Sequence, residues 1–263
     1  MRDERARDRA MAGRGGLVLT LALALGACAP APYAPLVCDA SEGRLAAFGY
    51  VLVRASGHEL LRANGSDFLY VAGDCTFYAR PSARVTPWEP VHTGVLTPDE
   101  LDAINGELLT QPWPAFLGAA GDPGPFLDAT APFMFRDSVR VDCGGDCGAA
   151  ASARARAEEW MTRLYARGEP LEAAVWLVAY RGSEGTGGPP IPVSLALDLA
   201  TATVDPVRVT GEDAATLRAA RTTAMARPEF SEHLPVVLDG VEWSLHLRDA
   251  LPLEDESGRV PWP

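Results

Sequence analysis

Alternating apolar and polar positions mark strands over Ala47-Phe-Gly-Tyr-Val-Leu-Val-Arg54, Glu59-Leu-Leu-Arg62 and Asp67-Phe-Leu-Tyr-Val71. Turn-forming pairs bound them, Ser56-Gly57 after the first and Asn64-Gly65 before the third. Asn-Gly is a strong hairpin signal because both residues tolerate the positive φ that a tight turn demands. Period-two runs predict further strands over residues 137–143, 173–180, 193–199 and 241–247. The period changes to that of a helix after Leu96-Thr97-Pro98-Asp99-Glu100-Leu101. Here Thr97 caps, Pro98 suits the first turn, Glu100 completes a capping box and Leu96 staples onto Leu101. Leu101, Ile104 and Leu108 form the stripe this helix buries. A second helix opens at Ser152, places Ala157, Trp160, Met161, Leu164 and Tyr165 on one face, and stops at Gly168 as a C-cap. A third start, Val209-Thr210-Gly211-Glu212-Asp213, repeats the register of the first: apolar residue, Thr, Pro or Gly, then two acids.

Strands grouped apart from about three capped helices predict an α+β fold built on antiparallel sheets. The two similar helix starts hint at a duplicated strand-helix-strand unit, with two intimate halves dividing near residues 168–172. The connection at 182–190 is polar and too short to link separate domains.

The N-terminal region carries a different signal. Residues 17–25 (Leu-Val-Leu-Thr-Leu-Ala-Leu-Ala-Leu) are uncharged and apolar, and Gly26-Ala27-Cys28 follows. Crossing the roughly 30 Å hydrocarbon layer takes about 20 such residues, so this run suits the apolar core of a secretory signal. Leu25-Gly26-Ala27-Cys28 resembles the lipobox of bacterial lipoprotein precursors. The resemblance implies a diacylglycerol on the Cys28 thiol, cleavage before Cys28 and acylation, for example with palmitate, of the freed amine. Residues 1–27 then read as the signal peptide, 28–36 as the lipidated Cys and a Pro-rich tether, and 37–263 as the α+β body. Ala29 follows the Cys where an Asp would mark inner-membrane retention in the enterobacterial pattern, so the expected address is the outer membrane of the cell envelope. Asp3, Glu4 and Asp8 are unusual in a signal n-region, and Met11 offers an alternative start.

Charge limits the partners. The 263 residues hold 35 acids against 23 cations, a net −12, and every cation is Arg. Residues 1–27 contain five of those cations and three of the acids, so the remainder carries 18 against 32, a net −14. Nucleic acids require clustered cations, so none is expected as a partner. An anionic membrane surface repels such a body, and attachment falls to the lipid, with a protein or cell-wall component as the expected partner. With 48% hydrophobic residues the chain is rich enough to bury a core.

Cys28 apart, the cysteines are Cys38, Cys75, Cys143 and Cys147, an even number in an oxidising compartment. Three connectivities are open, and Cys38–Cys75 with Cys143–Cys147 is favoured, since Gly144-Gly145 lets the short loop bend. Cys143-Gly-Gly-Asp-Cys147 also resembles the Cys-x3-Cys motif of thioredoxin-like copper-delivery proteins of the bacterial envelope, which implies a copper site on these two thiols. Gly148 stands where that motif has Pro, and neither His233 nor His246 lies in a recognisable second-ligand context, so a structural disulfide without metal is preferred.

Motifs that would name a reaction do not occur. Gly182-Ser183-Glu184-Gly185 has the wrong spacing for a nucleophile elbow, and His58-Glu59 has no second His four residues on. His92, His233 and His246 are distant in sequence and read as surface or core histidines. The run from Asp249 through Glu254-Asp255-Glu256 to Gly258 reads as a solvated acidic turn, its spacing unlike a calcium loop. Trp88, Trp113, Trp160, Trp176, Trp243 and Trp262 read as core filling or loop plugs. A non-catalytic binding or structural module is the expectation, with copper handling at Cys143 and Cys147 and an unrecognised hydrolase as alternatives.

Overall fold

The computed structural model describes residues 33–42, 45–53, 67–81, 89–116, 131–143, 147–182, 188–203, 205–230, 233–255, 258 and 260. Within them the fold is α+β. The first sheet contains β1 (Ala46–Val53), β2 (Asp67–Ala72), β3 (Thr76–Arg80), β4 (His92–Val95), β5 (Ala131–Arg136), β6 (Val139–Asp142) and β7 (Glu169–Pro170), in the order β6-β5-β1-β2-β3-β4-β7. All its pairings are antiparallel. The second contains β8 (Val175–Arg181), β9 (Ile191–Pro192), β10 (Val207–Val209), β11 (Leu234–Leu238) and β12 (Val241–Asp249), in the order β10-β8-β12-β11-β9. The β9–β11 pair is parallel, the others antiparallel. Three helices accompany them: α1 (Pro98–Ile104), α2 (Ala151–Arg167) and α3 (Gly211–Met225).

Both faces of the first sheet are covered, which is why β2 is buried at every position and its sequence reads as an apolar run. One face packs Phe48, Tyr50, Leu69, Val71 and Phe77 against Ile104, Leu108, Trp160 and Leu164 of the helical layer. The other packs Val51, Phe68, Tyr70, Tyr78 and Phe135 under Leu251, Leu253 and Val260. The chain therefore returns to the first sheet after completing the second. In the second sheet Val175, Leu177, Leu245 and Leu247 meet Leu217 and Ala220 of α3.

Gly49 of β1 lies opposite Phe135 of β5, and a Cβ there would come within 2.0 Å of the Phe135 ring. The ring is fully buried and can yield only by disturbing its neighbours. Gly49→Ala is expected to lower the unfolding free energy by about 1–3 kcal/mol through overpacking, read as a fall in the urea midpoint at unchanged slope. A variant as stable as the parent would show that the outer face of this sheet is loosely packed.

The Thr97 signal is realised in full. The Thr97 side chain accepts from Glu100 N at 3.3 Å and a Glu100 carboxylate oxygen accepts from Thr97 N at 2.9 Å. Burial acts to raise the Glu100 carboxyl, but bonds from Arg167 and the Thr97 backbone outweigh it and hold the group below the ordinary glutamate value. After Ile104 the helix widens into a π-helical turn, Asn105–Leu109. The stripe is Ile104 and Leu108, fully buried, with Leu101 half-buried.

Elsewhere the structure departs from the pattern. Helix α2 starts at Ala151, its N-cap is Ala150 without a side-chain bond, and Ser152 sits inside the first turn. Gly168 is the C-cap but extended, not left-handed. A Cβ there would sit 3.1 Å from His92, Phe77 and the Leu164 carbonyl, so close approach explains this glycine. Thr210 caps α3 by position without a side-chain hydrogen bond, and Gly211 takes φ +63°. Asp213, the counterpart of Glu100, accepts instead from Ala196 N and Leu197 N at 2.9 and 3.0 Å. The likeness of the two starts extends neither to their hydrogen bonds nor to the strand orders of the sheets they join.

Those two bonds also explain why residues 193–199 are not a strand. Val193, Leu195 and Leu197 pack on the second core as the alternation requires, but the backbone donors go to the Asp213 side chain and Leu199 opens a 3-10 turn. Residues 137–138 form the turn of the β5–β6 hairpin, so the predicted strand at 137–143 shortens to Val139–Asp142. β1 pairs directly with β2. The expected strand at 59–62 and the Asn64-Gly65 turn lie outside the described residues, as do Trp88 and Trp262. The first sheet ends with β7 at Pro170 and the second begins with β8 at Val175.

Candidate functional site

The cysteines form the pairs favoured from the sequence: Cys38–Cys75, 37 residues apart, and Cys143–Cys147, four apart. Cys28 lies outside the described residues. Cys143 and Cys147 are 1% and 2% exposed and belong to the first core. Cys147 takes φ +62°, and a 3-10 turn, Gly148–Ala150, separates it from α2. The pair therefore closes the junction between β6 and α2 and does not sit on the N-terminal turn of an α-helix, where a thiol would be activated. Among the described residues no group of three His, Cys, Asp or Glu is placed to hold a metal ion.

The Cys38–Cys75 bond is one of several clamps on the incoming chain. Asn105, buried where α1 widens, accepts from Leu36 N at 2.7 Å and donates to Leu36 O at 3.1 Å, as a paired strand would. Arg136 donates to Ala34 O at 3.4 Å and lies 5.9 Å from the Tyr33 ring centre. Asp39 N donates to Gly73 O at 2.8 Å. The chain is thus held from Tyr33 onwards.

The densest meeting of chemically able side chains lies on the second sheet, on the face turned away from α3. β12 is buried at every position from Trp243 to Asp249, so its polar residues Ser244, His246 and Arg248 are enclosed. The His233 ring nitrogen Nδ1 stands 2.9 Å from Ser244 Oγ, and the His233 and His246 ring centres are 4.0 Å apart. Tyr180, 42% exposed, stacks on His233 and sets its edge to His246. The two histidines read separately from the sequence are therefore neighbours. A signal for this is present. Asp239-Gly240 is the two-residue turn of the β11–β12 hairpin, with φ +52° and +77°, and Leu234 pairs Leu245. Extending that register by one places His233 opposite His246.

The constellation differs from a hydrolytic one. Ser244 is 3% exposed in mid-strand, not on a tight turn that presents its hydroxyl to a substrate. What the site presents outward is the Tyr180 ring stacked on His233, a surface suited to stacking and hydrogen bonding. His92, by contrast, stacks on Tyr165 at 3.9 Å with Nδ1 2.8 Å from Tyr165 O, and is a part-buried packing residue.

The acidic run near the C-terminus is not solvated at its key positions. Asp249 is 2% exposed and accepts both Arg221 Nη2 at 3.0 and 3.1 Å and Val91 N at 3.0 Å. Glu254 accepts from Arg248 at 2.5 Å and from Trp176 Nε1 at 2.7 Å. Arg80 lies in the same field. Burial lowers it to about 10, against the pull of Asp249 and Asp67 and with the push of Arg248 and Arg221. Oppositely charged groups compensate one another here, as buried ions must, and the cluster joins the second sheet to the first. No protein-family model, curated protein or solved structure matches this chain.

Proposed function

We propose that this protein is a lipid-anchored component of a bacterial cell envelope whose folded body is a non-catalytic binding or structural module. One observation carries the reading: Leu25-Gly26-Ala27-Cys28 precedes a body whose four cysteines are all joined as disulfides. Disulfides persist in oxidising compartments, which agrees with export. Acylation at two positions of Cys28 holds a protein durably where a single chain would not. The expected address is the outer membrane and the expected partner a protein or wall component, met by a rigid surface such as that around Tyr180.

Metabolic labelling with a palmitate analogue is expected to mark the parent chain and to leave a Cys28→Ser variant unmarked. Label that persists in the variant overturns the anchor. Thiol counting on denatured, unreduced protein is expected to find none among Cys38, Cys75, Cys143 and Cys147, and two reactive thiols that take up copper would replace this reading with metal handling. The Ser244–His233 contact is the one observation that favours a hydrolase. Covalent capture of Ser244 by a fluorophosphonate probe, lost in Ser244→Ala, would establish that activity.

A further inference from the structure

We infer that the end of the first sheet beside the incoming chain is seated on the bilayer surface, where it meets zwitterionic headgroups bearing an ammonium. The inference rests on the proposed lipid anchor at Cys28. Four large apolar side chains are exposed among the described residues, and three are gathered at this end: Val37 at 76%, Leu45 at 59% and Val95 at 61%. The backbone brings them together. Leu45 O accepts from Gly73 N at the tip of the β2–β3 hairpin. Val95 pairs with Thr76 on the other side of that tip, and Val37 precedes Cys38, which is bonded to Cys75 within it. Leu45 lies just ahead of β1 and Val95 ends β4, strands three spacings apart, about 14 Å. All three therefore lie at one end of the sheet, around the tip of the β2–β3 hairpin.

Chain length places the patch against the membrane. Five residue steps separate Cys28 from Tyr33, at most about 18 Å when fully extended. From Tyr33 the chain is clamped by Arg136, Asn105 and Cys75. A lipid on Cys28 therefore holds the body by its Val37 end, and the body cannot swing on a long leash. The rim selects the surface. Asp39, Glu42 and Asp99 are exposed and Asp74 half-exposed at this same end, carboxylates that phosphatidylglycerol repels and that the ammonium of phosphatidylethanolamine complements.

The test uses the full-length lipidated protein in vesicles containing headgroup spin-labelled lipid. A fluorophore is placed on Val95→Cys or, at the far end of the sheet, on Glu172→Cys. In phosphatidylethanolamine–phosphatidylcholine vesicles the Val95 probe is expected to be quenched at least threefold more than the Glu172 probe. Val37→Asp with Leu45→Asp should remove that difference while the Cys28 label persists. Equal quenching at both sites in lipid-labelled protein overturns the seating and leaves the anchor standing. A chain without lipid label overturns both. A Val95 probe shielded from aqueous iodide but not quenched by lipid assigns the patch to a protein partner and also overturns the inference. Equal quenching in phosphatidylglycerol vesicles overturns the headgroup preference.

Discussion

Asp249→Ala is expected to lower the unfolding free energy by about 3–5 kcal/mol, the cost of removing one partner from a buried ion pair. The carboxylate is enclosed at the end of β12 and bonds to Arg221 of α3 and to the backbone of Val91, ahead of β4. It thus ties the second sheet to its own helix and to the first sheet at once. Without it Arg221, itself 3% exposed, keeps its charge in an apolar setting that also holds Arg80 and Arg248. Urea unfolding followed by tryptophan fluorescence measures the loss, and a change below about 1 kcal/mol would show that water reaches the cluster. Asp249→Leu combined with Arg221→Leu should recover part of the loss, because removing both charges removes the unpaired ion. Recovery should be incomplete, since Val91 N still lacks an acceptor and buried donors are costly to leave unmade.

The second large effect is expected from the disulfides, and it is unequal. In the chain-entropy model, closing a loop of about 37 residues restrains the unfolded chain by about 4 kcal/mol and a loop of about four residues by about 2 kcal/mol. Cys38→Ala with Cys75→Ala should therefore destabilise roughly twice as much as Cys143→Ala with Cys147→Ala. The measured quantity is the denaturant midpoint of each pair of substitutions against the parent. Equal losses would mean that native packing at Cys143 and Cys147, both in the first core, outweighs loop closure. Removal of the longer bridge should also loosen residues 33–39, leaving them to Asn105 and Arg136, and hydrogen exchange at Leu36 N reports this directly.

Parts of this fold are visible in the chain because their causes lie within a few residues. Thr97 and Glu100 satisfy each other's backbone donors, so the start of α1 depends on nothing distant. The face of α2 is set by the spacing of Ala157, Trp160, Met161 and Leu164, all buried. The alternation at 193–199 correctly tells which side chains face the core, but pairing needs a free neighbouring ladder, and here the donors are taken by Asp213 from another element. Strands β3 and β5 are not marked as units in the sequence, since burial on both faces removes the alternation that would mark them, and β4 is four residues, His-Thr-Gly-Val, too short to show a period.

The candidate site divides along the same line. The Asp239-Gly240 turn is a local signal, and its register brings His233 beside His246. That Arg248 on the same strand would be enclosed could not be read, because its acceptors, the Glu254 carboxylate and the Gly258 carbonyl, come from the segment that returns to the first sheet. Residues from 249 onward look like an exposed acidic turn until their counter-charges are known. Asp249 finds Arg221 28 residues away and Val91 158 residues away, distances over which composition carries no pairing information. Sequence alone decided the α+β class, the Thr97 cap and the buried helix faces, since those follow from backbone donors and side-chain period. Only the tertiary structure decided which acids point inward and that Tyr180 of β8 joins Ser244, His233 and His246, because these partners come from distant parts of the chain.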